Sequence, residues 1–177
     1  MSAQVDVIAS DFPQASMLDR RVVAAAYFHD SYRVPVRRLD ATVVDLYFAV
    51  FGHLPGWMQT LLIVRNFVAS LGGLVSPTMS EILHVGIKDS YAVGDKMGVW
   101  PIHHLSGSEV VVGRDNKHMD FRLSVLRLAV DGADNLVVST VCTVHNRFGK
   151  VYLFFIVPFH KWGLKRLMSN AVRAARL

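Results

Sequence analysis

The stretch from His118 to His160 constrains the fold more than any other part of the chain. Its first run alternates apolar with polar side chains, the two-residue period of a strand with one buried face: Met119, Phe121, Leu123 and Val125 alternate with His118, Asp120, Arg122 and Ser124. A turn-forming cluster over 131–135 and a reversal over 146–149 separate this run from two more, over 136–146 and 151–157. Such short connections join antiparallel neighbours, so the stretch predicts a three-stranded meander.

The elements before the meander are helices followed by strands. Apolar residues at helical spacing predict a helix over 40–51, with Asp40 or Thr42 as its cap, and a second helix over 57–71 that ends at a glycine pair. Further strands are predicted by short apolar runs at 22–28, 82–87, 99–105 and 109–112.

The chain after Pro158 is predicted to be a long amphipathic helix, from Phe159 to about Arg176. An antiparallel sheet cannot leave its apolar face in water, so this helix must lie across it. The predicted fold is therefore α+β with a helix-grip architecture: a curved antiparallel sheet, two short helices and a long C-terminal helix. Space between the sheet and that helix would suit a hydrophobic ligand.

The length of 177 residues predicts one domain with an arm: an N-terminal arm over 1–20 and a single helix-grip domain over 21–177. The run 151–157 is apolar on both faces, and 137–144 is nearly so. Because the C-terminal helix covers one side of the sheet only, the other side needs the arm or a second subunit. This pattern favours a symmetric homodimer through the sheet.

The net charge of +5 is mild, and its basic residues are dispersed except in the C-terminal helix. This dispersal argues against a nucleic-acid partner. The basic back of that helix is interpreted as a solvated face, with a surface for anionic lipid or an acidic partner as the alternative.

The sequence also argues against a membrane-inserted protein, a signal peptide and an intrachain disulfide. The longest apolar run, 151–159, is much shorter than the roughly 20 residues that span a bilayer, so no stable membrane insertion is expected. Acidic residues in the N-terminal stretch argue against a signal peptide, and Cys142, the one cysteine, cannot form an intrachain disulfide. We expect a soluble cytoplasmic protein.

Several blocks of the chain resemble a known bacterial family, domain of unknown function 2867. The blocks are Val112–Asp115, His118–Ser124, Thr143–Tyr152 and Ile156–His160, together with Pro55–Trp57, Leu62–Asn66 and Gly73–Leu74. The resemblance covers roughly residues 35 to 172. It implies a helix-grip fold related to START and Bet v 1 proteins, and it brings no catalytic residues. Some members carry a nucleotide-binding oxidoreductase domain, which this chain lacks because no G-x-G-x-x-G follows a strand.

Asp120, Arg122 and His145 are the candidates for chemistry. Asp120 and Arg122 share one strand face, and His145 near the end of the next strand can approach that face. The three residues could orient a polar ligand head or act as an acid–base set. The alternative is a charge pair on the outer face, and the alternation favours it because the apolar positions from Met119 to Val125 should point inward.

The candidates for ligand binding are residues that could line a pocket or hold a ligand's head group: Arg65, Trp57, Trp100, Arg122, His145 and Tyr152. No two histidines on neighbouring strands have a ligand-like spacing, so neither a metal site nor a cofactor is expected.

Three functions remain open. The first is a helix-grip protein that binds an apolar or amphipathic small molecule between the sheet and the C-terminal helix. The second is a cyclase- or hydrolase-like enzyme on the same scaffold, using His145 and Asp120. The third is a non-catalytic homodimeric interaction module.

Overall fold

The computed structural model describes residues 7–60, 88, 90–130 and 132–177. Its strands form one curved antiparallel sheet in the order β1-β2-β7-β6-β5-β4-β3, accompanied by a long C-terminal helix. This is the α+β class that the sequence predicts, and its arrangement is consistent with a helix grip. The strands are β1 (Ile8–Ala9), β2 (Phe28–Pro35), β3 (Lys96–Met97), β4 (Trp100–Leu105), β5 (Glu109–Asp115), β6 (Met119–Val130) and β7 (Ala133–Val144).

The longest pairing in the sheet is the β6–β7 hairpin. Its register runs without interruption from Met119 opposite Val144 to Val130 opposite Ala133. The turn contains Gly132 at φ 77°, a conformation that glycine adopts without a steric cost. The first two strands of the predicted meander are therefore confirmed, and β7 begins inside the segment that the sequence interpretation assigned to the turn.

The third strand of the meander was predicted wrongly. Residues 151–157 belong to helix α3 (Arg147–Arg173), which begins inside the predicted reversal and contains Pro158 in its interior. Asn146 is the N-cap, because its side chain accepts a hydrogen bond from the Gly149 N–H at 3.1 Å. A short run that is apolar on both faces fits a buried strand and a buried helix equally well, since its periodicity does not distinguish them.

The N-terminal region also differs from the prediction. Helix α1 (Arg20–Ala25) occupies most of the predicted strand 22–28, with Asp19 as its N-cap. The strand begins only at Phe28. Asp19 accepts a hydrogen bond from the Arg21 N–H at 2.7 Å, and this cap favours a helical turn over an extended start.

The other described elements agree with their predictions. Helix α2 (Val43–Phe51) has Thr42 as its N-cap, and residues 57–60 are helical as expected for the start of the next helix. Strands β4 and β5 are confirmed, although β5 extends to Asp115. The remainder of the second predicted helix, to Leu71, and the predicted strand 82–87 lie outside the described residues.

Helices α2 and α3 pack on one face of the sheet, the inner face. Side chains from β2, β5, β6 and β7 form the core there with both helices, and each of the following is fully buried: Val34, Leu46, Val110, Val125, Leu136, Val138, Met168 and Ala171. Among the described residues, side chains thus fill the layer between α3 and the sheet.

The outer face of the sheet is covered by the N-terminal segment, residues 7–25. Helix α1 packs on β7, and the Ser16 hydroxyl donates to the Glu109 carboxyl of β5 at 2.6 Å. Outer-face side chains such as Val111 and Leu126 are consequently buried. The sequence left two possibilities for covering this face, the N-terminal arm or a second subunit. The structure shows the N-terminal segment there, so the apolar outer face does not by itself require a second subunit.

The N-cap of α2 supports a pH-dependent prediction. Thr42 and Asp45 form a capping box, in which hydrogen bonds from the Thr42 side chain and backbone lower the pKa of Asp45 below its usual value. Thr42→Ala should destabilise the fold by about 1 kcal/mol near neutral pH, whereas Thr42→Ser should cost little.

The sign of the pH effect is set by that lowered pKa. A carboxyl whose folded pKa is depressed adds stability above its unfolded pKa, and this contribution is lost as the pH falls through the folded pKa. The gap between wild type and Thr42→Ala should therefore shrink in acid, and the variant's Asp45 should titrate at a higher pH. Urea unfolding at several pH values and an NMR titration of Asp45 measure both; a constant gap with an unchanged Asp45 pKa contradicts the prediction.

Candidate functional site

A groove of about 530 Å³ lies between α2, the end of the chain after α3, and the segment that leads into β3. We call it the α2 groove. Its lining combines basic with apolar side chains, and the full set is Arg38, Thr42, Val44, Asp45, Phe48, Ala49, His53, Lys88, Ser90, Tyr91, Leu105 and Arg176.

Three lysine or arginine residues, one histidine and one acidic residue line the α2 groove. The Arg176 Nε atom donates to the Ala49 carbonyl at 3.1 Å, which ties the end of the chain to α2. Lys88 is held by Asp95 at 2.9 Å, and Arg38 lies 4.0 Å from Asp40. The excess of cations at one concave site favours an anionic group there.

The apolar wall of the α2 groove is formed by α2, Tyr91 and the end of β4. The rings of Phe48 and Tyr91 lie 5.9 Å apart, and Val44 and Leu105 extend the wall. Behind it, Tyr47 is buried and donates a hydrogen bond to the Met97 carbonyl at 3.3 Å. Burial, and then the nearby Tyr91, raises the pKa of Tyr47 well above its usual value, so this hydroxyl serves as a neutral donor.

A second groove, of about 570 Å³, lies on the outer face under the N-terminal segment. It is lined by residues 9–13 with Arg33, Leu128, Val130 and Val137. Arg33 is its one basic lining residue and Asp11 its one acidic residue, so this groove lacks the cation excess of the α2 groove.

His145 and Asp120 form a close pair at one end of the sheet, with 3.0 Å between His145 Nε2 and Asp120 Oδ2. Arg122 lies nearby, but its two terminal guanidinium nitrogens both donate to the Asp115 carboxylate. Arg122 Nη2 lies 3.0 Å from Asp115 Oδ2. That hydrogen bonding lowers the pKa of Asp115, and the charges of His103 and His145 act in the same direction. In the cluster, the Asp120 carboxylate can orient the His145 ring.

The cluster faces away from helices α2 and α3. Met119, Leu123 and Val125 are buried on the inner face, so Asp120 and Arg122 point to the outer face, as the alternation predicts. The His145 side chain is 39% exposed, and neither it nor Asp120 lines either groove. The structure thus brings the predicted acid–base pair together outside the layer between sheet and helix.

The other predicted ligand residues do not surround a common space. Trp57 stacks near Trp162 of α3 with ring centroids 4.7 Å apart, and Trp100 packs on Phe121 at 5.1 Å. Tyr152 is buried in a second core cluster with Met119 and Cys142. None of them lines either groove, and Arg65 lies outside the described residues.

A polar pair under α3 escaped the sequence interpretation. His160 Nε2 lies 3.4 Å from Asp30 Oδ1, and the Asp30 side chain is only 8% exposed. Burial, followed by the charge of Asp30, raises the pKa of the neighbouring Tyr32 to about 12. The sequence contained one indication of this pair. Asp30 is an acidic residue two positions before Tyr32, so both side chains are on the same face of the strand.

Within the described residues, no group of three or more histidine, cysteine, aspartate or glutamate side chains could hold a metal ion. In that same part of the chain, no helix is both long enough and apolar enough to cross a membrane.

The fold and its grooves define a protein with an antiparallel sheet, a long C-terminal helix and an amphipathic cleft beside it. The chain belongs to the family described as protein of unknown function (DUF2867), which matches residues 22–167. The resemblance seen in the sequence is therefore confirmed. Neither the curated proteins nor the solved structures contain a significant match to the chain.

Proposed function

We propose that this protein binds a small amphipathic molecule with an anionic head group in the α2 groove. The observation that carries the proposal is the pairing of a cationic rim, Arg38, Lys88 and Arg176, with a wall of Phe48 and Leu105 in one cleft. A carboxylate or similar anion would lie at the rim, and its apolar body would cover the wall.

This site modifies the first sequence hypothesis in one respect. That hypothesis puts the ligand beneath the C-terminal helix, where described side chains such as Met168 and Ala171 are fully buried. The α2 groove lies beside this layer and includes Arg176, just after α3. A relationship to START and Bet v 1 proteins would agree with a binding role, and like the cytoplasmic location and bacterial origin it stays a prediction from the sequence.

The test uses decanoate as the anionic probe and decyltrimethylammonium as a cationic probe of equal chain length. We expect decanoate to shift the amide NMR signals of Phe48, Tyr91 and Leu105, and to bind more tightly than the cation. Arg38→Gln should weaken decanoate binding about five- to tenfold, because it removes one charge-assisted contact at an exposed rim.

Arg33→Gln is the matched control, since it removes an arginine from the other groove. It should leave the decanoate affinity unchanged. Equal affinity for both probes, or signal shifts confined to residues 9–13 and 128–130, would show that the α2 groove is not the binding site.

A second candidate is acid–base catalysis by His145 and Asp120, supported by their 3.0 Å contact. In that role His145 would accept a proton from water or a substrate hydroxyl, while Asp120 orients its ring. The test is hydrolysis of p-nitrophenyl acetate: activity that disappears in His145→Gln and falls in Asp120→Asn supports catalysis. A wild-type rate equal to that of His145→Gln counts against it. It ranks second because the pair lies outside both grooves.

A further inference from the structure

The solvent-facing side of α3 is an apolar surface. Phe154 is 71% exposed and Phe155 62%, and together with their neighbours they form a continuous stripe along the helix. We call this set the aromatic stripe: Val151, Phe154, Phe155, Pro158, Phe159 and Trp162. Trp57, also exposed, stacks near Trp162 and widens the stripe at one end.

The stripe is separate from the core. The side of α3 that faces the sheet buries Leu153, Leu164, Leu167, Met168 and Ala171. The stripe members recur at spacings of three, four and seven residues, so they share the opposite side of the helix. From Val151 to Trp162 the stripe extends about 16 Å along the helix axis. Exposed apolar surface of this extent marks an interaction site.

The charges of α3 identify the kind of partner. The helix contains six basic residues and no acidic residue, while the net charge of the whole chain is only +5. Lys150, Lys161 and Lys165 lie along one flank of the stripe, with their ammonium groups 5.0–5.9 Å from the rings of Tyr27, Phe28 and Tyr32. Arg166 follows Trp162 by four residues in the helix, which places it on the other flank of the stripe. A partner for this surface must be apolar in the middle and negatively charged around it.

We propose that the aromatic stripe docks this protein on the surface of an anionic phospholipid bilayer. Phenylalanine and tryptophan rings enter the boundary between head groups and acyl chains, and the flanking lysines reach the lipid phosphates. Because the opposite side of α3 is packed on the sheet, the helix lies flat in the interface and does not span the bilayer. Docking of this kind is reversible.

A second copy of the chain fits this surface poorly. In a two-fold interface centred on the stripe, an antiparallel crossing brings Lys150 of one copy near Lys165 of the other, and a parallel crossing places the lysine flank of each copy against the partner's other flank, which carries Arg166. Since α3 has no acidic residue, both arrangements bring like charges together. An anionic lipid surface satisfies the apolar and the basic parts at once.

The experiment is vesicle flotation of the full chain at fixed lipid concentration, with light scattering to follow its oligomeric state. We expect binding to phosphatidylcholine vesicles that contain roughly a quarter phosphatidylglycerol, much weaker binding to pure phosphatidylcholine, and release at about 0.5 M salt. The double variant Phe154→Gln/Phe155→Gln should lose binding at least about tenfold, because both rings leave the interface.

Leu39→Gln/Val93→Gln is the matched control, since both side chains are exposed to a similar degree away from α3. It should bind as the wild type does. Lys150→Gln/Arg166→Gln, which removes one basic residue from each flank of the stripe, should reduce binding to the anionic vesicles by roughly tenfold or more.

Three results would overturn the proposal. The first is an absence of binding to either vesicle by a monomeric wild type. The second is equal binding by wild type and the phenylalanine double variant. The third is a lipid-independent oligomer that dissociates only in that double variant, which would show that the stripe holds a second copy.

Discussion

Gly149→Ala will destabilise this protein by about 2 kcal/mol or more, although alanine is the better helix former. Gly149 lies in the first turn of α3, next to the backbone of His118, the residue that precedes β6. A Cβ atom at this position would lie 2.5 Å from the His118 carbonyl oxygen and 2.9 Å from Val144 Cγ1. The carbonyl belongs to the backbone, and it already accepts a hydrogen bond from the His145 N–H at 2.9 Å.

Gly163→Ala is the control in the same helix. There the added Cβ would meet only the flexible end of Met58, at 3.4 Å. The helix-propensity gain of about 1 kcal/mol should then dominate, so this variant should equal or exceed the wild type in stability. Urea unfolding of the three proteins measures both effects. Equal stability of Gly149→Ala and Gly163→Ala would contradict a close contact between α3 and the backbone of residue 118.

The strand alternation allowed much of the sheet to be predicted. The polar and apolar positions of 118–125 specified which face of β6 packs against α2 and α3, and a one-residue slip would have turned Leu123 and Val125 to the outer face. The same alternation specified the outward direction of Asp120. Because Asp120 pairs with Thr143, residue 145 falls on the same face, and the contact with His145 is a consequence of this register.

The sequence misled at Asn146-Arg147-Phe148-Gly149. Asparagine and glycine favour both tight turns and helix N-termini, since an Asn side chain can satisfy backbone N–H groups in either. The run 151–157 is apolar on both faces, which usually indicates burial on both sides. In α3 only one side is buried, so Phe154 and Phe155 contributed apolar character that does not belong to the core. A surface that is apolar for interaction imitates a core strand in the sequence.

The α2 groove could not be predicted because its lining comes from distant segments of the chain. Arg38, Tyr91, Leu105 and Arg176 have no common motif or spacing, and only the tertiary fold brings them together. Asp30 and His160, which are 130 positions apart, illustrate the same limit. Neighbours in a regular sheet can be inferred from register, whereas contacts between elements that are distant in sequence and not paired as strands cannot.

Glu109→Ala will weaken the fold by about 3 kcal/mol and release the N-terminal segment. Glu109 is 1% exposed on the outer face, where its carboxyl accepts hydrogen bonds from three groups. These are the Ser124 hydroxyl at 2.5 Å, the Ser16 hydroxyl at 2.6 Å and the Met17 N–H at 2.7 Å. The first partner belongs to the neighbouring strand and the other two to the segment that covers the sheet.

Removing this carboxyl has two costs. It leaves the fully buried Ser124 hydroxyl without its acceptor, which lowers the free energy of unfolding by about 1–3 kcal/mol. It also removes the hydrogen bonds that join β5 to residues 16–17. Glu109→Gln retains one acceptor oxygen and most of the volume, so it should lose roughly a third as much. Asp40→Ala, which removes a carboxyl that is 83% exposed, should change stability by less than about 0.5 kcal/mol.

Two measurements distinguish local release from general loss of stability. Urea unfolding gives the free energy, and brief trypsin treatment under native conditions reports on Arg20 and Arg21, which lie shortly after the anchored residues. Faster cleavage at these arginines in Glu109→Ala, with the rest of the chain still resistant, is the expected pattern. Wild-type cleavage together with wild-type stability would mean that the N-terminal segment is held to the sheet by its apolar contacts, such as the buried Val23, without help from Glu109.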